Sequence, residues 1–532
     1  MRTNRLALTH VNVMSPQAGM WHKAGDAVLA DNGTIVAVGS SDTIADLAMH
    51  QNASVVDYAD HPGATCYPAF MDAHLHLDLY GFSLLRINLN GVTSLEDALA
   101  CIGDAGKPDD GGFIGGDCWD DELWKSAPHR RYLDAMYHDS PVALSRKDYH
   151  SLWMNTAALK ATGLWASDQF GPDLLPCDME GPTGIVHDAA MTWALARLPQ
   201  PALSERLNAL KGAMSHLLSL GFASCCSMDY GIFAEVQQLA TAMEGEPRLR
   251  IWQAVGVDNL DAVVNLGLSS GFGSDFLRVG GIKLFADGSL GSRTAYMQRP
   301  WPGQQGGHGL RAYPSVEWLT ERFNMASEHG WWIWIHAIGD LANHEVLNAF
   351  AAADTSLSRG NLHHRIEHAQ FLQDEDIPRF ADLGVAASVQ PSHLDLDIGK
   401  LATTFATPHP GSYAFRSLLD AGAKVAFGSD APVEDPDALK GIAFAAFRTR
   451  PGEQPFQPEQ CVTVEQALTA YTATPQELVG MAGRRGAIVP GQDADLVVLA
   501  HDVLTAHTPE EIRGAHVLTT VVDGRVVFSA TR

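Results

Sequence analysis

The sequence predicts an α/β protein: a (β/α)8 TIM-like barrel accompanied by a small β-sandwich domain formed by both termini. Three observations carry that expectation. Eight apolar, strand-like runs alternate with helical stretches through the middle of the chain, the count such a barrel needs. Short β-branched runs separated by turn residues occupy both ends, and neither end holds enough of them for a stable sandwich alone. The 532 residues, 46% hydrophobic and 18% charged, exceed one ordinary domain and supply ample core.

At the N-terminal end, ALTHVNVMS, DAVLADNGTIVAVGSSD and ASVVDYA read as strands, with DNGT as a hairpin turn. At the other end, GAIVPGQDADLVVLA and HVLTTVVDGRVVFSA carry PG and DG turns. If the termini meet in space, residues 1–63 and 483–532 build one composite β domain and residues 64–482 the barrel. The eight barrel runs are ATCYPAFMDAHLHL, FASCCSMD, RIWQAVGV, FLRVGGIKLFADG, WWIWIHAIGD, HHRIEHAQF, GVAASVQPS and KVAFGSDAPV. SVEWLTERFNMASEHG, between the fourth and fifth, reads as an intervening helix. The gap between the first and second runs is too long for a βα connection. An inserted, substrate-covering region is therefore expected at about 82–215.

Asp and Glu number 62 against 36 Lys and Arg, a formal net charge of −26. That excess argues against nucleic acid or an anionic membrane as partner. No run of about 18 apolar residues exists, and MRTNRLALTHVNVMSPQ lacks the apolar core and cleavage site of a secretory signal. Seven scattered cysteines make no disulfide framework, and Cys225-Cys226 reads as a pair of buried thiols. The cytoplasm is the default expectation.

Polar residues fall at telling places on the predicted strands. His74 and His76 are two apart near the end of strand one, so a β-strand points both the same way. Lys283 sits inside the apolar run of strand four, and His336, His368 and Asp430 end strands five, six and eight. Active sites of such barrels lie at the C-terminal ends of the strands. Taken singly, each residue has an ordinary reading: a core histidine, a snorkelling lysine, a helix-capping aspartate. Taken together, they converge on a metal site. Asp72, on the same face as His74, is expected to support it.

Around that mouth, Trp119 and Trp153 read as pocket walls on loops of the inserted region, whereas Trp332 and Trp334 read as packing. His150 is a candidate donor to a substrate carbonyl or an ordinary strand-end histidine; His393, after strand seven, is a weaker candidate of the same kind. DGSLGSR lacks the Lys-Ser/Thr ending of a phosphate loop and reads as an active-site loop whose Arg293 anchors a polar substrate group or the loop itself.

KLFADGSLGSRTA, HAIGD, RIEHAQ and GSDAPV, with DDELW, RKDYHSLWMN and TGIVHDAAM in the insertion and GAIVPGQDADLVVL near the end, resemble the amidohydrolase superfamily. The subgroup is amidohydrolase family 3, which includes YtcJ-like and N-substituted formamide deformylase-like proteins. The resemblance covers nearly the whole chain. One departure is Pro68-Ala69, where the superfamily usually has Pro-Gly.

The resemblance implies two divalent metals per chain, for which zinc suits the donors. His74, His76 and Asp430 would hold one, His336 and His368 the other, and Lys283, N-carboxylated by CO2, would bridge them. It also implies hydrolysis of a C–N amide bond in a small aryl- or alkyl-substituted N-formyl or N-acyl amine. A metal-activated hydroxide would attack, with Asp430 as general base and then acid. A mononuclear deaminase on the same barrel would usually carry a Glu near the strand-five histidine, and His336-Ala-Ile-Gly-Asp340 has none. An ester or lactone hydrolase would share the whole site, whereas a non-catalytic binding protein predicts gaps among six positions that are all filled. A homodimer or larger oligomer is common in the superfamily, and no residue demonstrates one.

Overall fold

The computed structural model describes residues 4–17, 19–104, 113–121, 124–147, 149–199, 201–229, 231, 235–236, 249–302, 307–353, 363–404, 409, 411–450 and 452–530. The chain divides into two compact units, residues 1–77 with 214–532 and residues 78–213.

The larger unit holds the barrel. Its strands are one (Phe70–Leu75), two (Phe222–Ser227), three (Arg250–Gly256), four (Leu277–Phe285), five (Ile333–Ala337), six (Arg365–His368), seven (Ala386–Val389) and eight (Val425–Phe427), and each pairs in parallel with the next. Strand eight returns to strand one through backbone bonds from Asp430 N to His74 O (2.7 Å) and from His76 N to Ala431 O (2.8 Å), which nearly closes the barrel. Gly428 permits that approach, because a Cβ there would lie 2.6 Å from His74 N. Inside, Trp334 fills the space left by Gly280 and Gly281 of strand four, where a Cβ at Gly281 would meet its ring at 2.7 Å. Trp332 and Trp334 join Trp252, Met71 and Cys226 in one apolar cluster, as the packing reading expects. Cys225 and Cys226 are buried thiols. The helix expected between strands four and five spans Val316–Glu328, with Ser315 as its N-cap.

The two chain ends share one eight-stranded sheet. Its order is Arg525–Ser529, Val517–Val522, Leu496–Leu499, Thr65–Pro68, Arg5–Gln17, Met20–Asp31 and Thr34–Gly39, with Ser54–Asp57 also paired to Arg5–Gln17. The expected DNGT hairpin turns on Asn32 and Gly33, both left-handed (φ 48° and 83°). The run read as strand one is in fact two strands. Thr65–Pro68 belongs to the terminal sheet and Phe70–Leu75 to the barrel. Ala69 N donates to Asp495 O on the terminal side, and Phe70 N to Gly221 O on the barrel side, so the chain changes sheets just past Pro68. Ala69 is not among the left-handed residues, which is why alanine serves where the superfamily has glycine.

The smaller unit is built on a five-stranded sheet ordered Ile185–His187, Ser151–Met154, Val142–Arg146, Ile114–Trp119 and Ile87–Asn88. Alternate residues serve opposite faces: Val142, Leu144 and Trp153 enter one core, Ala143, Leu152 and Met154 the other. Among the described residues no helix is long and apolar enough to cross a membrane.

Candidate metal centre

His74 and His76 point the same way, their ring centroids 5.8 Å apart. Their Nδ1 atoms are taken by carboxylates: Glu367 Oε2 lies 2.6 Å from His74 Nδ1, and Asp229 Oδ1 lies 3.1 Å from His76 Nδ1. Their Nε2 atoms approach one oxygen, Asp430 Oδ1, at 3.3 and 3.5 Å. His368 meets His74 at 4.8 Å and His336 at 4.5 Å between ring centroids. Its Nδ1 faces Gln390 Oε1 (2.8 Å), while His336 Nε2 faces Gly288 O (3.1 Å). Each of the four imidazoles thus has one nitrogen held by a protein partner, and the Nε2 atoms of His74 and His76 turn to Asp430. This is the arrangement that orients metal-ligating histidines.

Strand parity alone would not bring these groups together. Glu367 and His368 are adjacent, so a regular strand would send them to opposite faces. His368 (φ 75°) and Ala369 (φ 43°) are left-handed, and that turn ends strand six and redirects the chain. Asp430 (φ 60°) is left-handed too. Backbone of this kind in non-glycine residues concentrates at functional sites.

The electrostatics match the geometry. Burial opposes the charge on Asp430, but His74, His368 and His393 outweigh it and hold the carboxyl well below its usual range. Burial, with His336 and His74 alongside, pushes His368 well below the usual imidazole value. Burial, then Lys283, lowers His74, whereas Asp229 more than offsets burial at His76 and raises it. Lys283, 2% exposed, is brought down to about 8 by burial, against the pull of Glu367 and Asp430. Neutral His74 and His76 that donate Nδ1–H to carboxylates would present two lone pairs to a carboxylate oxygen. A divalent cation would relieve that contact, so the donor set fits a metal. His74, His368 and Asp430 each offer a ligand atom, all within 4.8 Å of one another.

Asp72 is fully buried and accepts from His74 N (3.0 Å) and Ser429 N (3.1 and 3.2 Å), clamping strand eight to strand one. Burial raises its carboxyl to about 7. His393 stacks on His368 at 6.1 Å and 11°, and its buried Nε2 has no hydrogen-bond partner among the described residues, with Asp430 Oδ2 3.6 Å away. Arg293 is exposed and left-handed (φ 57°), and among the described residues its guanidinium bonds to nothing; it does not anchor its own loop. That loop is pinned instead by Asp287, which accepts from Tyr296 N, Ile338 N and Gly339 N at 2.7–2.9 Å.

Three candidates lie in the smaller unit. Trp119 and Trp153 are strand residues rather than loop residues, a correction. Both are buried in the unit's own core, edge to face at 6.4 Å, and Trp119 Nε1 donates to Leu144 O. Alternation along their strands turns them inward. His150 Nδ1 faces Asp188 Oδ1 at 2.9 Å.

Glu367, Arg365, Asp229 and Asp287 escaped the sequence reading. Glu367 carried a signal: a charged pair two apart inside the apolar strand RIEH implies mutual neutralisation on one face.

A sequence model of the amidohydrolase family matches residues 59–528. The Bacillus subtilis (strain 168) protein YtcJ is 29% identical over 519 residues, 94% of this chain and 96% of its own. The N-substituted formamide deformylase of Arthrobacter pascens is 27% identical over 555 residues, 99% of this chain and 98% of its own. Among solved structures, an uncharacterized metal-dependent hydrolase of Pyrococcus horikoshii OT3 matches with a TM-score of 0.78 at 26% identity, covering 94% of this chain and 99% of that one.

Proposed function

The chain belongs to the amidohydrolase family, whose members are metal-dependent hydrolases, and on that premise we propose that it hydrolyses the C–N bond of a small N-formyl or N-acyl amine. One observation carries the reading: His74, His368 and Asp430 converge, with Lys283 buried in the same strand-end cluster. The deformylase relative supports the choice of bond.

His74, His76 and Asp430 would hold one divalent cation and His336 and His368 a second, with Lys283, as its carbamate, supplying anionic oxygens to both. Zinc suits these donors. When bound, the metals polarise the scissile carbonyl and acidify water. Asp430 takes up the proton released on attack and returns it to the leaving nitrogen, which departs poorly without it. His393 Nε2, buried and without a hydrogen-bond partner among the described residues, donates to the substrate oxygen.

Elemental analysis of the purified protein beside Lys283→Ala, followed by a panel of N-formyl and N-acyl amines, tests this. About two metals per chain, falling sharply in the variant, with turnover of an amide, is the expected result. One metal, unchanged in the variant, overturns the two-metal reading in favour of a mononuclear deaminase. No metal after metal and bicarbonate are supplied overturns the metal reading altogether.

A further inference from the structure

We propose that Glu367 is the positioning residue that makes His74 a ligand through Nε2, and that Arg365 locks Glu367 in that role. The inference rests on the metal reading above and concerns how this chain prepares its site.

Both carboxylate oxygens of Glu367 are spoken for. Oε2 lies 2.6 Å from His74 Nδ1, and Oε1 accepts from Arg365 Nε at 2.6 Å. Arg365 is itself immobilised: Nη2 donates to Ala73 O at 2.9 Å, Nη1 to Cys226 Sγ at 3.7 Å, and the guanidinium lies 4.0 Å from the centre of the Trp334 ring. The Arg365 and Glu367 side chains are fully buried. An ionised carboxylate only accepts, so His74 Nδ1 must donate, and the lone pair of the neutral ring is left on Nε2 facing Asp430.

The Ala73 bond matters for a second reason. It ties the same arginine to the backbone next to the histidine that Glu367 orients, so strands six and one are linked across the barrel beside His74. Rotation of the His74 ring, or the other tautomer, would leave a buried carboxylate oxygen without its donor, which is costly. Both Glu367 oxygens are engaged by the protein, which leaves neither for a substrate. Glu367 acts through His74.

Metal affinity tests this, measured by competition with a chelator on stripped and reconstituted protein. Glu367→Gln keeps the shape and removes the charge; affinity is expected to fall 10- to 100-fold, the usual range for such partners. In a His74→Ala background the same change should add nothing. Because Glu367→Gln strands the buried guanidinium, Arg365→Met with Glu367→Gln, which removes both charges, serves as the folded control and should show the same loss. Nitrogen NMR of histidine-labelled, metal-free wild type reads the tautomer directly, with His74→Ala as the assignment, and Nδ1–H is expected. An Nε2–H tautomer, wild-type affinity in a folded Glu367 variant, or equal losses with and without His74 overturns the proposal. Wild-type protein that binds no metal overturns the underlying reading instead, so the two failures are distinguishable.

Discussion

The two ends of the barrel bury charge in opposite ways. At the N-terminal end of strand three, Arg250 is 1% exposed and every nitrogen is engaged. Nε and Nη2 donate to the two oxygens of Asp495 at 2.7 and 3.0 Å, and Nη1 donates to Asp275 O at 3.2 Å. At the C-terminal mouth, His74, His76, His336 and His368 each have one ring nitrogen held by a protein partner, and His74, His368 and Asp430 bring ligand atoms within 4.8 Å of one another, beside residues in left-handed backbone. Each left-handed non-glycine residue costs on the order of 1–2 kcal/mol. Arg250 and Asp495 are paired with each other, which serves stability. The groups at the mouth are oriented by protein partners, with His74 Nε2 and His76 Nε2 turned to one carboxylate oxygen, the mismatch on which the proposed metal site rests. Burial and charge are alike at the two ends. The difference lies in whether donors and acceptors match.

The largest expected effect sets the ends directly against each other. Arg250→Ala strips Asp495 of its two-pronged partner, leaving Arg485 Nε at 3.6 Å, and should cost about 3–5 kcal/mol in urea unfolding. His76→Ala at the mouth should shift stability by no more than about 1 kcal/mol while abolishing tight metal binding. Equal unfolding midpoints for the two variants would break the comparison.

A smaller effect comes from His364, next to the start of strand six. It is buried, its Nδ1 accepts from Ile333 N at 3.0 Å, and burial, with His363 beside it, brings it down to about 4. The neutral ring is the one the fold accepts. Its contribution is therefore complete above the unfolded value of 6.5 and is lost as pH falls through about 4. The full loss is on the order of 3 kcal/mol. His364→Gln, which retains an acceptor and does not titrate, should flatten that part of the stability–pH curve. A wild-type curve no steeper than the variant's between these values would show that His364 is not responsible.

The smallest effect isolates burial from pairing. Lys424 Nζ and Glu477 Oε1 are 2.8 Å apart, as close as Arg250 and Asp495, but their side chains are 52% and 42% exposed. Lys424→Ala should cost less than about 1 kcal/mol, and still less at high salt. A loss approaching that of Arg250→Ala would mean that pairing, rather than burial, dominates at this end.

Much of the site was legible because its residues recur at one structural position. His74, His76, Lys283, His336, His368 and Asp430 interrupt apolar runs at or near strand ends, and parallel strands in a barrel bring their ends together whatever separates them in sequence. The eight runs were legible for a similar reason: strands buried on both faces read as continuous apolar stretches. The residues that escaped notice have roles defined by contacts across the barrel. Glu367 looks like an ordinary acid until Arg365 and His74 are placed around it. Asp229 gains its meaning from His76, 153 positions away. Trp119 and Trp153 misled for the opposite reason, since a tryptophan near polar residues reads alike in a pocket or in a core, and only the pleat of their sheet turned them inward.

By itself, the sequence determined the strand count, the gathering of both termini into one sheet and the kind of atoms at the mouth, because hydrophobic periodicity and residue chemistry are local properties. Tertiary structure alone decided which nitrogen of each histidine faces the centre and which arginine neutralises which acid. It also decided where the backbone leaves strand geometry, at His368 and Asp430. Those choices depend on distances between strands that no local pattern encodes.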